Sequence, residues 1–234
     1  MPTTNLPPSI DDTTKAMLKA DARAAAAQTI RDLIHSFVGR DASIEQLQSI
    51  ATDLRRHTSE LDSTETRNQR SGLQGINWNA PPAEGDSIPR NDDRPISGRS
   101  SPYGLDMQVT REGDEVVGHL TLRDGHEGPP GRCHGSIISA LFDDIFVFVL
   151  NIHSLPAFTG ELTIRFEQGV PLNEPLECRV RLDRQEGRKI HMTGELTGDD
   201  GAGGHICYSR GRAVFITVDP TILTGDKPSE GTDS

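Results

Sequence analysis

Apolar residues are unevenly placed along this chain, and their spacing changes character partway through. After a polar leader over residues 1–11, Ile30, Leu33, Ile34, Phe37 and Val38 recur at helical spacing within Lys15–Val38, behind an alanine-rich stretch. This predicts an amphipathic helix, opened by the acidic and hydroxyl residues from Asp11 and closed by Gly39. Ser43 and Gln46 have the spacing of a capping box, and Ile44, Leu47, Ile50, Ala51, Leu54 and Leu61 give a second helix one apolar stripe. Residues 1–63 therefore read as a helical hairpin that packs on its neighbour or on a partner subunit. Residues 64–101 lose all periodicity and are rich in Gly and Pro. Only Leu73, Ile76, Trp78, Ile88 and Ile96 can anchor them, Trp78 foremost. They predict a linker that wraps over the folded domain, long enough to cover a pocket mouth.

From Tyr103 the period falls to two. Leu105–Arg111 and Val116–Arg123 alternate across Glu-Gly-Asp and predict a hairpin, and four more strands follow at Thr159–Gln168, Leu176–Gln185, Ile190–Thr197 and His205–Val218. Between the second and third lies Glu127-Gly-Pro-Pro-Gly-Arg-Cys-His-Gly-Ser136, a turn that runs straight into Ile137–Asn151. That run is apolar almost all the way round, which predicts a helix buried on every side. Two strands, one buried helix and four strands make an α+β domain over residues 102–220. An antiparallel sheet curled round one central helix accounts for the order. A polar tail, 221–234, follows.

Composition agrees that the core is local. Only 33% of residues are hydrophobic and 4% aromatic, too few for one core spanning all 234. The formal net charge is -11, which argues against nucleic acid or an anionic membrane as partner. Three cysteines, Cys133, Cys178 and Cys207, fit no zinc or redox spacing and predict reduced thiols in a cytoplasmic protein. No signal-peptide pattern opens the sequence. The run Ile137–Leu150 is too short to span a bilayer and is broken by Asp143 and Asp144. His119, His126, His191 and His205 show no metal-ligand spacing, and no nucleotide loop or cofactor motif occurs.

Two carboxylates inside an apolar helix are costly unless they are paired or used. The first N–H groups of that helix, at Gly135 and Ser136, have no internal partner and lie at its positive end, so they can stabilise an oxyanion. His134 can orient a ligand or the loop. The residues alone do not choose between Asp143 and Asp144.

The ordered motifs do. Gly-Pro-Pro-Gly-x-x-His-Gly-Ser entering a helix, with Asp143 nine residues after His134, resembles the hotdog-fold acyl-CoA thioesterases of the phenylacetate-degradation (PaaI-like) type. Phe158-Thr-Gly-Glu-Leu-Thr-Ile-Arg-Phe166 resembles that family's third strand, Val170-Pro-Leu172 its bend and Glu186-Gly-Arg-Lys189 its hairpin. The resemblance covers about half the chain. It implies a homodimer, or a dimer of dimers, with two interface sites that hydrolyse acyl-CoA thioesters without a cofactor. It makes Asp143 the catalytic carboxylate, places Gly135 at the thioester carbonyl and makes Thr159 a helper. Arg188 and Lys189, a basic pair on an acidic domain, can take CoA phosphates. Phe142, Phe146 and Phe158 are expected to bound the pocket. Ser136 departs from the family's second Gly; its hydroxyl can add an N-cap bond, but a positive φ there would be strained. The competing reading is a non-catalytic acyl-CoA-binding dimer whose N-terminal helices recruit a partner.

Overall fold

The computed structural model describes residues 11–67, 81–88 and 92–219. Helices α1 (Asp12–Gly39) and α2 (Ile44–Asp62) come first, followed by strands β1 (Gln108–Glu112) and β2 (Glu115–Thr121). A 3-10 turn at Asp124–His126 leads to α3 (Gly135–Ile152), and β3 (Ala157–Phe166), β4 (Pro175–Glu186), β5 (Lys189–Asp199) and β6 (His205–Thr217) complete the chain. The strands form one antiparallel sheet in the order β1-β2-β4-β5-β6-β3, curled around α3. This is the hotdog fold, with an N-terminal helical extension.

The alternation seen in the sequence is the alternation of burial. In β5 every second residue from Ile190 to Thr197 is buried and the intervening ones are half-buried, because one sheet face meets α3 and the other faces outward. Leu141, Phe142, Ile145, Phe146, Val149 and Leu150 of α3 are fully buried against Val116, Cys178, Ile190, Leu196 and Phe215. Each such large side chain contributes roughly 1.5–3 kcal/mol on leaving water. Gly211 on β6 lets the Phe142 ring lie on the sheet: a Cβ there would stand 2.5 Å from the ring.

Two expectations about α3 change. It is eighteen residues long, two longer at its start and one at its end than the apolar run to Asn151 suggested, and so long and apolar enough to cross a membrane. More than half of it is nonetheless enclosed within the domain. Nor is it buried on every side. Ser136 and Asp143 are exposed, and Ser139, Ala140 and Val147 are half-buried, at three- and four-residue steps. They form one open stripe along the helix.

The two sheet edges differ. Beside β1, the Ile88 N–H donates to the Val109 carbonyl, Gly85 to Arg111, and Arg111 back to Asp86, so segment 85–88 covers that edge. Among the described residues β3 has β6 on one side and no strand on the other, and most of it is exposed, with Phe158 and Phe166 about half so.

Ile88 is buried in the core and Ile96 packs against it; Leu73, Ile76 and Trp78 lie outside the described residues. Asp11 caps α1 by accepting the Thr14 N–H at 2.7 Å, and the Ser43–Gln46 capping box is present on α2. α1 docks on the domain through Ala27, Arg31 and His35. Arg31 donates to the Ser101 carbonyl at 2.5 Å and pairs with Asp106 at 3.1 Å, and the His35 Nδ1 accepts the Gly125 N–H at 3.0 Å. No residue of α2 is buried.

Candidate functional site

The open stripe of α3 runs beside β3, and polar groups gather at its two ends. At the start of the helix the loop doubles back on itself. Gly131 adopts φ 71°, which suits glycine, and its N–H is accepted by Glu127 at 2.6 Å. The Cys133 and His134 amides donate to the Val170 and His126 carbonyls, both at 2.9 Å. His134 then caps α3: its Nδ1 accepts the Ser136 N–H at 3.1 Å and lies 2.7 Å from the Ser136 hydroxyl. An Nδ1 that accepts an amide carries no proton, so the hydroxyl donates to it too and Nε2 is the protonated nitrogen.

Of the two amides expected to face a ligand, only one is free. The Ser136 N–H is taken by His134, whereas the Gly135 N–H has no partner among the described residues. Ser136 is helical and has no positive φ, so the change from glycine brings no backbone strain. Gly135 lies under Phe166: a Cβ would stand 3.2 Å from the ring.

Two turns along the helix, the Thr159 hydroxyl donates to Asp143 Oδ1 at 3.0 Å. Thr159 stands just before a register shift at Gly160, where residues 158–161 are all exposed and the strand alternation fails. Bulges of this kind re-aim side chains. Arg188 and Lys189 belong to the same end. Lys189 is in register with Ile216, which is in register with Phe158, so the basic hairpin sits two strand spacings, roughly 10 Å, from β3. Arg188 donates to the Thr217 carbonyl at 3.1 Å.

Asp144, 100° round the helix, serves differently. It is 6% exposed and accepts from Arg94, with Nη2 at 2.6 Å and Nε at 3.0 Å; Arg94 Nη2 also reaches the Asp144 carbonyl. The guanidinium lies 5.5 Å over the Phe148 ring. Segment 92–107 is thereby tied to the face of α3 that bears Asp144, not to the one that bears Asp143. Phe142 and Phe146, expected as pocket walls, are fully buried in the core; Phe158 and Phe166 on β3 are about half exposed, and Phe166 lies over Gly135. Cys133 is no nucleophile: burial pushes its thiol up to about 12.

Sequence reasoning gave no sign of Arg94, nor of the pair formed by His35 and His126, whose rings meet edge-on at 4.7 Å. Burial, then the neighbouring His35 and Arg123, lower His126 to about 4. Among the described residues no group of three or more His, Cys, Asp or Glu side chains is placed to hold a metal ion.

Known proteins share parts of this chain. Residues 130–205 match the family model described as Thioesterase superfamily. The human acyl-coenzyme A thioesterase THEM5 is 34% identical over 67 residues, 29% of this chain and 27% of that protein. The Bos taurus acyl-coenzyme A thioesterase THEM4 is 25% identical over 119 residues, 50% of this chain and 48% of that protein. The chain thus spans at most about half the length of these curated relatives. The crystal structure of a thioesterase superfamily protein superimposes with a TM-score of 0.66 at 21% identity, covering 83% of this chain and 90% of that one.

Proposed function

We propose that this chain, whose residues 130–205 match the Thioesterase superfamily model, hydrolyses acyl-CoA thioesters to free acid and CoA at sites shared between two copies. The observation that carries the proposal is the Thr159–Asp143 pair, held in the open where strand β3 has, among the described residues, one edge without a neighbouring strand.

Gly135 and Asp143 are eight residues apart on one helix, about 12 Å along its axis. That is too far for one carbonyl to receive the Gly135 N–H and be attacked directly by Asp143 of the same chain. Antiparallel pairing of two β3 edges removes the difficulty. It sets the Phe158 end of one strand beside the Phe166 end of the other, and so brings Asp143 of one copy toward Gly135 of the partner subunit. Two equivalent sites result.

In each, the carbonyl oxygen takes the Gly135 N–H at the positive end of α3, where the developing oxyanion is stabilised. Thr159 fixes Asp143 Oδ1, leaving Oδ2 to take a proton from water as that water attacks, or to attack the carbonyl itself and form an anhydride that water then hydrolyses. The thiolate leaves and is protonated to CoA. His134 is locked by Ser136 and orients the acyl group with its Nε2–H. Arg188 and Lys189 take CoA phosphates at the rim. The reaction draws on water and no cofactor.

The test is release of free CoA from a panel of acyl-CoAs. Asp143→Asn should lower kcat at least 100-fold, and Thr159→Val about tenfold through loss of one oriented hydrogen bond. Turnover unchanged in Asp143→Asn removes the assignment. Thermal stabilisation by acyl-CoAs with no turnover in the wild type would favour a binding protein instead.

A further inference from the structure

The N-terminal extension is turned outward. α1 meets its own domain with small and polar residues, Ala27, Arg31 and His35, and leaves Ile30, Ile34 and Phe37 between 39% and 56% exposed. On α2, Leu47, Leu54 and Leu61 are between 39% and 70% exposed. On α1 these side chains lie beside the docked face, with Ile34 reaching toward Gly125, and their outer surface is left uncovered. The connector does not fold α2 back over that surface, for α1 and α2 make almost no contact with each other.

We propose that these stripes are an interface with a second copy of this chain, α1 and α2 of each packing against the same helices of the other. Spacing points to a helical occupant. Positions 44, 47, 51, 54, 58 and 61 alternate steps of three and four, the seam that takes another helix, and all but Thr58 are apolar. Area points the same way. With Val38 and Ile44, the exposed side chains offer on the order of 800 Å², what each partner gives to a standard interface and more than the ~300–600 Å² patch of an ordinary monomer. Charge disfavours an anionic lipid surface: α2 carries four carboxylates and two arginines, whereas membrane-surface helices have a basic polar face. A second copy supplies an identical stripe and closes the contact about a twofold axis. This inference uses α1 and α2 alone and does not depend on the thioester reading.

The experiment is light scattering on the full chain after size exclusion, comparing wild type with Phe37→Glu/Leu54→Glu. The mass should fall by half, with far-UV helicity and acyl-CoA turnover per chain within twofold of wild type. An equal mass in both proteins overturns the proposal. So does helicity lost without a change in mass, which would mean that the stripes pack within one chain. Binding of the wild type to phosphatidylcholine–phosphatidylglycerol vesicles with no change in mass between the proteins overturns it also. If the charged pair does not fold, Leu54→Ser decides: the dissociation constant of the assembly should rise at least tenfold, and an unchanged constant refutes the interface.

Discussion

Arg94→Ala should be the most damaging substitution outside the apolar core. Asp144 is 6% exposed and the Arg94 side chain 20% exposed, so the pair is largely out of water. In the intact protein Asp144 Oδ1 takes two bonds from Arg94, while Oδ2 is buried without a partner. Removing the guanidinium leaves a buried carboxylate with neither oxygen satisfied, and breaking such pairs costs about 3–5 kcal/mol. For a chain of this size that is roughly 10 °C in Tm. The loss is one of compensation rather than attraction, so Arg94→Leu/Asp144→Leu, which removes both charges, should recover most of it. Urea unfolding followed by far-UV circular dichroism reads both: the single variant should lower the midpoint without changing the slope, and the double should return toward wild type. A cost below about 1 kcal/mol for Arg94→Ala, or a double variant no better than the single, would refute this account of Asp144.

Two further outcomes concern stability. His126 is lowered to about 4, first by burial and then by His35 and Arg123, with Asp106 acting oppositely. A histidine depressed in the folded state stabilises fully above its unfolded value near 6.5 and loses that contribution as pH falls toward 4, here about 3 kcal/mol. The stability difference between wild type and His126→Gln should therefore shrink by about that much between pH 7 and pH 4; a constant difference contradicts the burial argument. Gly211→Ala should destabilise by about 1–3 kcal/mol, because its Cβ would meet the fully buried Phe142 ring at 2.5 Å. An unchanged urea midpoint would mean that the ring is free to move.

What the sequence reveals is whatever one face of one element records. Ile190, Met192, Gly194 and Leu196 point alternately at α3, so β5 was legible from its own residues. The Ser43–Gln46 box closes within four residues and was equally plain. Arg94 and Asp144 are fifty positions apart, and nothing local in either marks the other. The open stripe of α3 was hidden for another reason: Val147 and Ala140 are as apolar as their buried neighbours, and only the sheet's coverage separates them. The docking of α1 was illegible because it is made by Ala27, Arg31 and His35, while the more apolar Ile30, Ile34 and Phe37 stay partly exposed. In the candidate site, Asp143 is preferred to Asp144 only through the family resemblance, since the residues alone leave the two open, and that His134 occupies the Ser136 amide depends on a ring rotamer.

The covered edge beside β1 has a consequence of number. A sheet with two free edges can add copies at both ends and grow into a fibre; one with a single free edge is used up by its first partner. The bonds from Gly85 and Ile88 to β1 therefore act as a stop. Among the described residues this leaves one edge for pairing, so a sheet extended through β3 would end at two chains, and a larger assembly would have to be joined through another surface.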